Sequence, residues 1–202
     1  MAGDRRQPHH TARGDRAERH PLPVRAGDHG NLYSRTTARH YDPRLGEYSY
    51  TWNAWERRTT DTLNSAPSAA SFRNDQAQAW YIRADLHPYQ VWWSGTTQAW
   101  AGPAQPGGSV GNLTGALGIM QWSDNFEVYG RGTDRKVWFK WYRSVWSNWI
   151  QQSTLGTVNS SVAATLYGGN TNLFARGPSG NVVWSPYAAG WQPWTSLGGV
   201  IL

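Results

Sequence analysis

The stretch FEVYGRGTDRKVWFKWYRSVWSNW, residues 126–149, sets five tryptophan or tyrosine rings after a Gly-Arg-Gly turn and carries almost no long aliphatic side chain. Its runs "FEVYGR" and "KVWFKWY" are separated by Gly, Thr and Asp, the pattern of short strands joined by tight turns. Rings at such density require wide, flat surfaces to fill. The rest of the chain shows what those surfaces are.

The same order of residues recurs. "LYSR" (32–35), "WYIR" (80–83), "VYGR" (128–131) and "LFAR" (173–176) each place an aromatic residue two before an arginine, and Arg35, Arg83, Arg131 and Arg176 are 48, 48 and 45 residues apart. A second marker keeps step: Trp55, Trp100, Trp149 and Trp194, at intervals of 45, 49 and 45. A third, Asn64, Asn112 and Asn159, opens small-residue stretches such as "NSAPSAASF" and "NSSVAATLY". Periods of this size belong to arrays in which a repeat cannot bury its own face and stacks on its neighbours.

Each repeat reads as four short strands, exemplified by "SSVAATLY", "FEVYGR", "KVWFKWY" and "NWIQQSTL". Four strands in about 46 residues describe a propeller blade better than a helical hairpin. The first strand of each repeat is small and the later ones are broad and aromatic, which suits a wedge. The predicted fold is therefore an all-β propeller of four blades, at about 20–65, 66–111, 112–159 and 160–202, with the first inner strand in "PLPVRAG". Residues 1–19 hold no aromatic side chain and, after Met1, no aliphatic one larger than Ala; they are expected to form a disordered Arg-rich tail. The Arg13-Gly14-Asp15 tripeptide within it is a chance match in such a composition.

Composition narrows the chemistry. With no cysteine there is no disulfide framework and no thiolate metal site. No run of 18 apolar residues marks a membrane span, and the charged start lacks the apolar core of a secretory signal, so synthesis in the cytoplasm is expected, with later release or surface association left open. The 13 acidic residues show no repeated pair of the kind glycosidases need, and the six histidines, mostly near the start, form no catalytic or zinc motif. A non-enzymatic protein without metal or cofactor is expected. The sequons at Asn112 and Asn159 arise from the repeat and carry no separate meaning.

The rings divide into two sets. Trp55, Trp100, Trp149 and Trp194 recur in every repeat and are assigned to packing between blades. Trp52, Trp146 and Trp191 stand three residues earlier in "WNAW", "WSNW" and "WQPW", with Thr97 in that place in the second repeat. Residues three apart in an extended strand face opposite ways, so this second set is expected to point outward, where exposed rings need a reason.

The order aromatic-x-Arg-Gly-Thr-Asp, Val-Trp, Trp-x-x-Trp and Leu-Gly, in "VYGRGTDRKVW…VWSNWIQQSTLG" and again in "LFARGPSGNVVW…GWQPWTSLGG", resembles the repeat of bacterial PLL-type propeller lectins and related tectonin-like proteins. The likeness covers about 180 of the 202 residues, is sharpest in the last two repeats, and departs from the seven-bladed rings of that family in having four. It implies a multivalent lectin for fucose-like or O-methylated sugars, bound where rings stack on the sugar between blades. Trp52, Trp146 and Trp191 would supply the rings. Arg35, Arg83, Arg131 and Arg176, with Asp134 and Asn148, would supply polar partners, although structural bonds to a neighbouring blade are the favoured role for the arginines.

Two other classes remain open from sequence. One is a structural or adaptor propeller of a larger bacterial assembly. The other is nucleic acid, for which Arg, Trp and Tyr are a fitting palette, but scattered cations offer no continuous groove. "GALGIMQW" is bulky for the axis of a tight four-bladed ring, and neither terminus completes the other's sheet. A homodimer of four and four blades is the expected assembly.

Overall fold

The computed structural model describes residues 23–72, 76–108, 110–123 and 125–200, so the predicted tail and its Arg-Gly-Asp lie outside the described residues. These residues form strands and turns without a helix. In the first sheet β1 (Val24–Ala26) pairs with β2 (Leu32–Ser34); β3 (Thr37–Asp42) and β4 (Glu47–Trp52) form a separate hairpin; β5 (Glu56–Arg57) returns to β2. The second sheet runs β6 (Ser68–Phe72), β7 (Gln76–Ile82), β8 (Pro88–Ser94), β9 (Ala99–Ala104). The third runs β10 (Leu113–Trp122), β11 (Asn125–Gly132), β12 (Lys136–Arg143), with β13 (Val145–Trp146) and β14 (Ile150–Thr157) both on β12. The fourth runs β15 (Ala163–Tyr167), β16 (Asn170–Arg176), β17 (Val182–Pro186), β18 (Thr195–Gly198). All pairings are antiparallel, as a chain of short turns dictates.

The sheets stack in chain order, in the manner of propeller blades, and an apolar cluster fills each boundary. Leu32 meets Ala79, Tyr81 and Val91 between sheets 1 and 2; Trp80 and Ile82 meet Leu113, Phe126, Val128 and Trp149 between 2 and 3; Tyr129, Val137 and Leu155 meet Val162, Leu173 and Val183 between 3 and 4. Because β7 and β11 are covered on both faces, "AWYI" and "FEV" lose the apolar-polar alternation of a half-exposed strand. The inner strands approach closely. A Cβ on Gly118 of β10 would press on the Val162 carbonyl oxygen just ahead of β15, and Ser68 of β6 donates from its hydroxyl to the Leu117 carbonyl at 2.6 Å.

Three expectations need correction. Repeat 1 is not a four-stranded sheet: the segment between β2 and β5 leaves as the β3–β4 hairpin, whose rings Tyr41 and Tyr48 lie 4.8 Å apart and exposed, and β5 beside Trp55 pairs directly with β2. The bulky residues of β10 are not jammed at an axis. Past a register irregularity between Thr114 and Gly118, Ile119 packs on the 2/3 cluster and Met120 Sδ lies 3.6 Å from the Thr171 hydroxyl of sheet 4.

Nor are the four arginines equivalent. The backbone N–H of Asn64 donates to the Ile82 carbonyl at 2.7 Å, and that of Asn159 donates to the Arg176 carbonyl at 2.7 Å. Ile82 therefore occupies the place of Arg176, and Arg83 is one residue out of phase. A one-residue slip sends a side chain to the other face.

Candidate functional site

Register defines the face that each sheet turns toward its successor. On sheet 3, Glu127 and Tyr129 of β11 pair with Trp141 and Phe139 of β12; on sheet 2, Gln78 and Trp80 of β7 pair with Trp92 and Gln90 of β8. Cross-strand partners share a face. Each face thus presents one tryptophan beside one polar residue at the same height.

Between sheets 3 and 4 these residues wall a cleft of about 360 Å³, within the range of small-molecule sites. Trp122, Glu127, Tyr129, Phe139, Trp141 and Arg143 come from sheet 3; Gly169, Asn170, Thr171, Tyr187 and Trp191 come from sheet 4. Trp191 is wedged across the boundary, edge-on to Tyr129 at 5.8 Å and 90° and to Tyr187 at 5.3 Å and 78°. Tyr129 stacks on Phe139 at 5.8 Å and 11°, which fixes the ring bed without help from long aliphatic groups. On the floor, Glu127 Oε2 accepts hydrogen bonds from the Tyr129 hydroxyl at 2.5 Å and from the Thr171 hydroxyl at 3.1 Å. Burial, together with that carboxylate, pushes the Tyr129 phenol far above its usual range, so it stays a donor. Arg143 lies exposed at the rim.

Between sheets 2 and 3 the arrangement repeats in a cleft of about 330 Å³ lined by Gln76, Gln78, Gln90, Trp92, Ser94, Pro106, Tyr142 and Trp146. Trp146 takes the part of Trp191, edge-on to Trp80 at 5.1 Å and 70° and beside Tyr142 at 5.4 Å. Beneath it Lys140 is fully buried: its ammonium donates to the Pro106 carbonyl and lies 5.0 Å from the Trp146 ring and 5.3 Å from the Trp149 ring. At the boundary of sheets 1 and 2, where Thr97 replaces the wedge tryptophan, the Arg58 guanidinium stacks 4.9 Å from the Trp100 ring.

Of the residues nominated from sequence, Trp146 and Trp191 line the two clefts. Both are half-buried rather than outward-facing. The three-residue rule failed because residues 147–149 and 192–194 are irregular backbone, which lets Trp146 and Trp149, and Trp191 and Trp194, pack on the same boundary. Trp52 is 48% exposed and lies 4.4 Å beneath the Arg35 guanidinium, which also covers Trp55 at 4.8 Å.

The arginines stand apart from both clefts. Arg83 is ion-paired to Asp85, lies 3.6 Å from Asp61 and covers the Tyr89 ring at 4.1 Å; Arg131 keeps a buried Nε without an acceptor among the described residues; Arg176 lies beside Ser160 and Ala175. Asp134 shapes the β11–β12 turn, accepting from the Lys136 backbone at 3.0 Å and the Gln151 amide at 2.9 Å, and Asn148 is exposed beside Gly108. Sequence reasoning missed Glu127, Gln78, Trp92, Trp141, Tyr142 and Tyr187. One signal was present: Tyr142 and Tyr187 each stand four residues before a wedge tryptophan.

No protein-family model and no curated protein sequence matches the chain. Its fold is similar to those of solved structures that include lectins. BP39L lectin from Burkholderia pseudomallei superposes with a TM-score of 0.63 at 17% identity, over 89% of this chain and 51% of its own. AofleA from Arthrobotrys oligospora gives 0.59 at 12% identity, over 86% and 52%. The fucose-specific lectin from Aleuria aurantia gives 0.56 at 13% identity, over 84% and 57%. The chain spans between half and three-fifths of the length of these structures.

Proposed function

We propose that this chain is a lectin that binds fucose-like or O-methylated sugars, without catalysis, in the clefts between consecutive sheets. One observation carries the reading: the wedge of Trp191, with its tyrosine, its cross-strand tryptophan and its buried polar floor, is built a second time around Trp146. Core packing alone would not leave an open, ring-walled space with a polar floor at both boundaries. A pyranose offers an apolar C–H face to rings and hydroxyls to fixed polar atoms, which is what each cleft supplies. Trp141 with Trp191, and Trp92 with Trp146, are the ring walls; Trp52 is the corresponding candidate on the first repeat. The fold likeness to a fucose-specific lectin, a mutant of which was crystallised with α-methyl-L-fucoside, supports the sugar class. The narrower PLL-type membership rests on the repeat motif.

The reading includes four blades per chain and completion of the ring by a second copy. Sheet 4 turns Asn172, Phe174 and Trp184 outward, the places of Glu127, Tyr129 and Phe139, with Tyr167 80% and Leu197 54% exposed around them. Sheet 1 ends in Arg25, Tyr33 and Trp55 at the opposite end of the stack. A second copy would cover both with the contact already used between sheets 3 and 4.

Titration with methyl α-L-fucoside, followed by tryptophan fluorescence, tests the sugar reading. Saturable quenching that is unchanged between about 50 and 200 mM salt is expected, since ring stacking involves no counterion release. No saturable change, or binding that collapses with salt, would overturn it.

A further inference from the structure

We infer that the two clefts differ in their tolerance of O-methylated sugars, because one floor position presents only an acceptor in the first cleft and a donor in the second. The inference rests on the lectin reading above and assigns specificity within it. Glu127 and Gln78 hold equivalent positions. Each pairs across its sheet with the cleft tryptophan, Trp141 or Trp92, and each is almost wholly buried, at 9% and 6% exposure.

Their polar atoms are oriented by different neighbours. Glu127 spends Oε2 on the Tyr129 and Thr171 hydroxyls, while Oε1 takes no donor among the described residues and is not sealed from solvent. A carboxylate oxygen of this kind only accepts. Gln78 Oε1 accepts from the Trp80 indole Nε1 at 3.2 Å. Since an indole can only donate, the atom facing it must be the amide oxygen, and the Gln78 NH₂ is left for the cleft. Tyr129, which orients Glu127, and Trp80, which orients Gln78, are themselves equivalent residues.

The cleft between sheets 3 and 4 therefore takes a sugar whose deepest substituent is a free hydroxyl or another donor. The cleft between sheets 2 and 3 takes, beside a free hydroxyl, one whose deepest substituent is an ether or carbonyl oxygen, as in an O-methylated sugar. An ether facing Glu127 Oε1 leaves desolvated acceptors unpaired, whereas a hydroxyl oxygen facing the Gln78 NH₂ accepts from it as an ether oxygen does.

Two probes separate these characters: methyl α-L-fucoside, with three hydroxyls, and its 2,3,4-tri-O-methyl derivative, with none. The indole N–H resonances of Trp191 and Trp146 report the two clefts separately. Methyl α-L-fucoside is expected to shift both indoles, and the tri-O-methyl sugar to shift Trp146 at a concentration about tenfold or more below that needed for Trp191. Glu127→Gln keeps an oxygen for Tyr129 and Thr171 and turns an NH₂ to the cleft, so Trp191 should then respond to the tri-O-methyl sugar. Gln78→Glu keeps an acceptor for Trp80 and should abolish the Trp146 response to that sugar. Should Glu127→Gln fail to fold, as judged by circular dichroism, Gln78→Glu decides alone. Equal response of both indoles to the tri-O-methyl sugar, or a preference unmoved by the exchanges, would overturn the inference while leaving a lectin. Silence of both indoles toward both sugars would overturn the lectin reading and the inference with it.

Discussion

Lys140 shows how one residue ties the packing to the cleft above it. Burial drives its pKa down from 10.5 to about 8, while the Pro106 carbonyl and the faces of Trp146 and Trp149 hold the charged form. The unfolded chain binds this proton more tightly than the folded one, so stability is lowest below pH 8 and rises as pH climbs from about 8 toward 10. Above pH 10 the trend reverses, because burial first, with Asp61 or Glu127 adding to it, holds the Tyr81 and Tyr129 phenols protonated in the fold while they ionise in the unfolded chain. Urea melts across this range should show the rise, at most about 2–3 kcal/mol, and Lys140→Met should flatten it. Next to it, Trp149→Ala removes a buried ring and should cost ~3–5 kcal/mol in the same melts. The core role of Trp149 was legible from its period. Lys140 was not, because a lysine in a strand ordinarily reads as a solvated face.

At the scale of elements, the period, the strands of the last two repeats and the small inner strands were all legible, since each depends on local pattern. Register was not. The Asn64 and Asn159 backbone contacts put Ile82 where Arg176 stands, and a one-residue slip in "WYIR" cannot be seen in a spacing of 48 that is itself ordinary. The same blindness hid the cleft floor, because Glu127 and Gln78 become equivalent only through their cross-strand partners, Trp141 and Trp92. Gly118 tests the closeness of inner strands directly. A methyl there meets the Val162 backbone, which cannot rotate away, so Gly118→Ala should lower stability by about 1–3 kcal/mol in a denaturant melt, whereas Gly46→Ala, in an open turn, should lose only what its left-handed backbone costs.

For the molecule as a whole, the largest exposed apolar side chains fall on the β3–β4 hairpin of repeat 1 and, on sheet 4, at Leu166, Tyr167 and Leu197. Light scattering at micromolar concentration should give twice 22.7 kDa, and Tyr167→Lys should return the mass to that of one chain; a wild-type monomer that still binds multivalent glycan would sink the paired ring. Sugar binding at the clefts is the claim on which the rest depends, and a glycan array probed with wild-type protein and with Trp141→Ala plus Trp92→Ala tests it most directly. Both tryptophans line clefts and neither belongs to the buried core, so the double variant should fold. The expected result is retention of the wild type on fucosylated or O-methylated glycans and loss of that retention in the folded double variant; a wild type that binds no glycan, or a double variant that binds as well as the wild type, would contradict it.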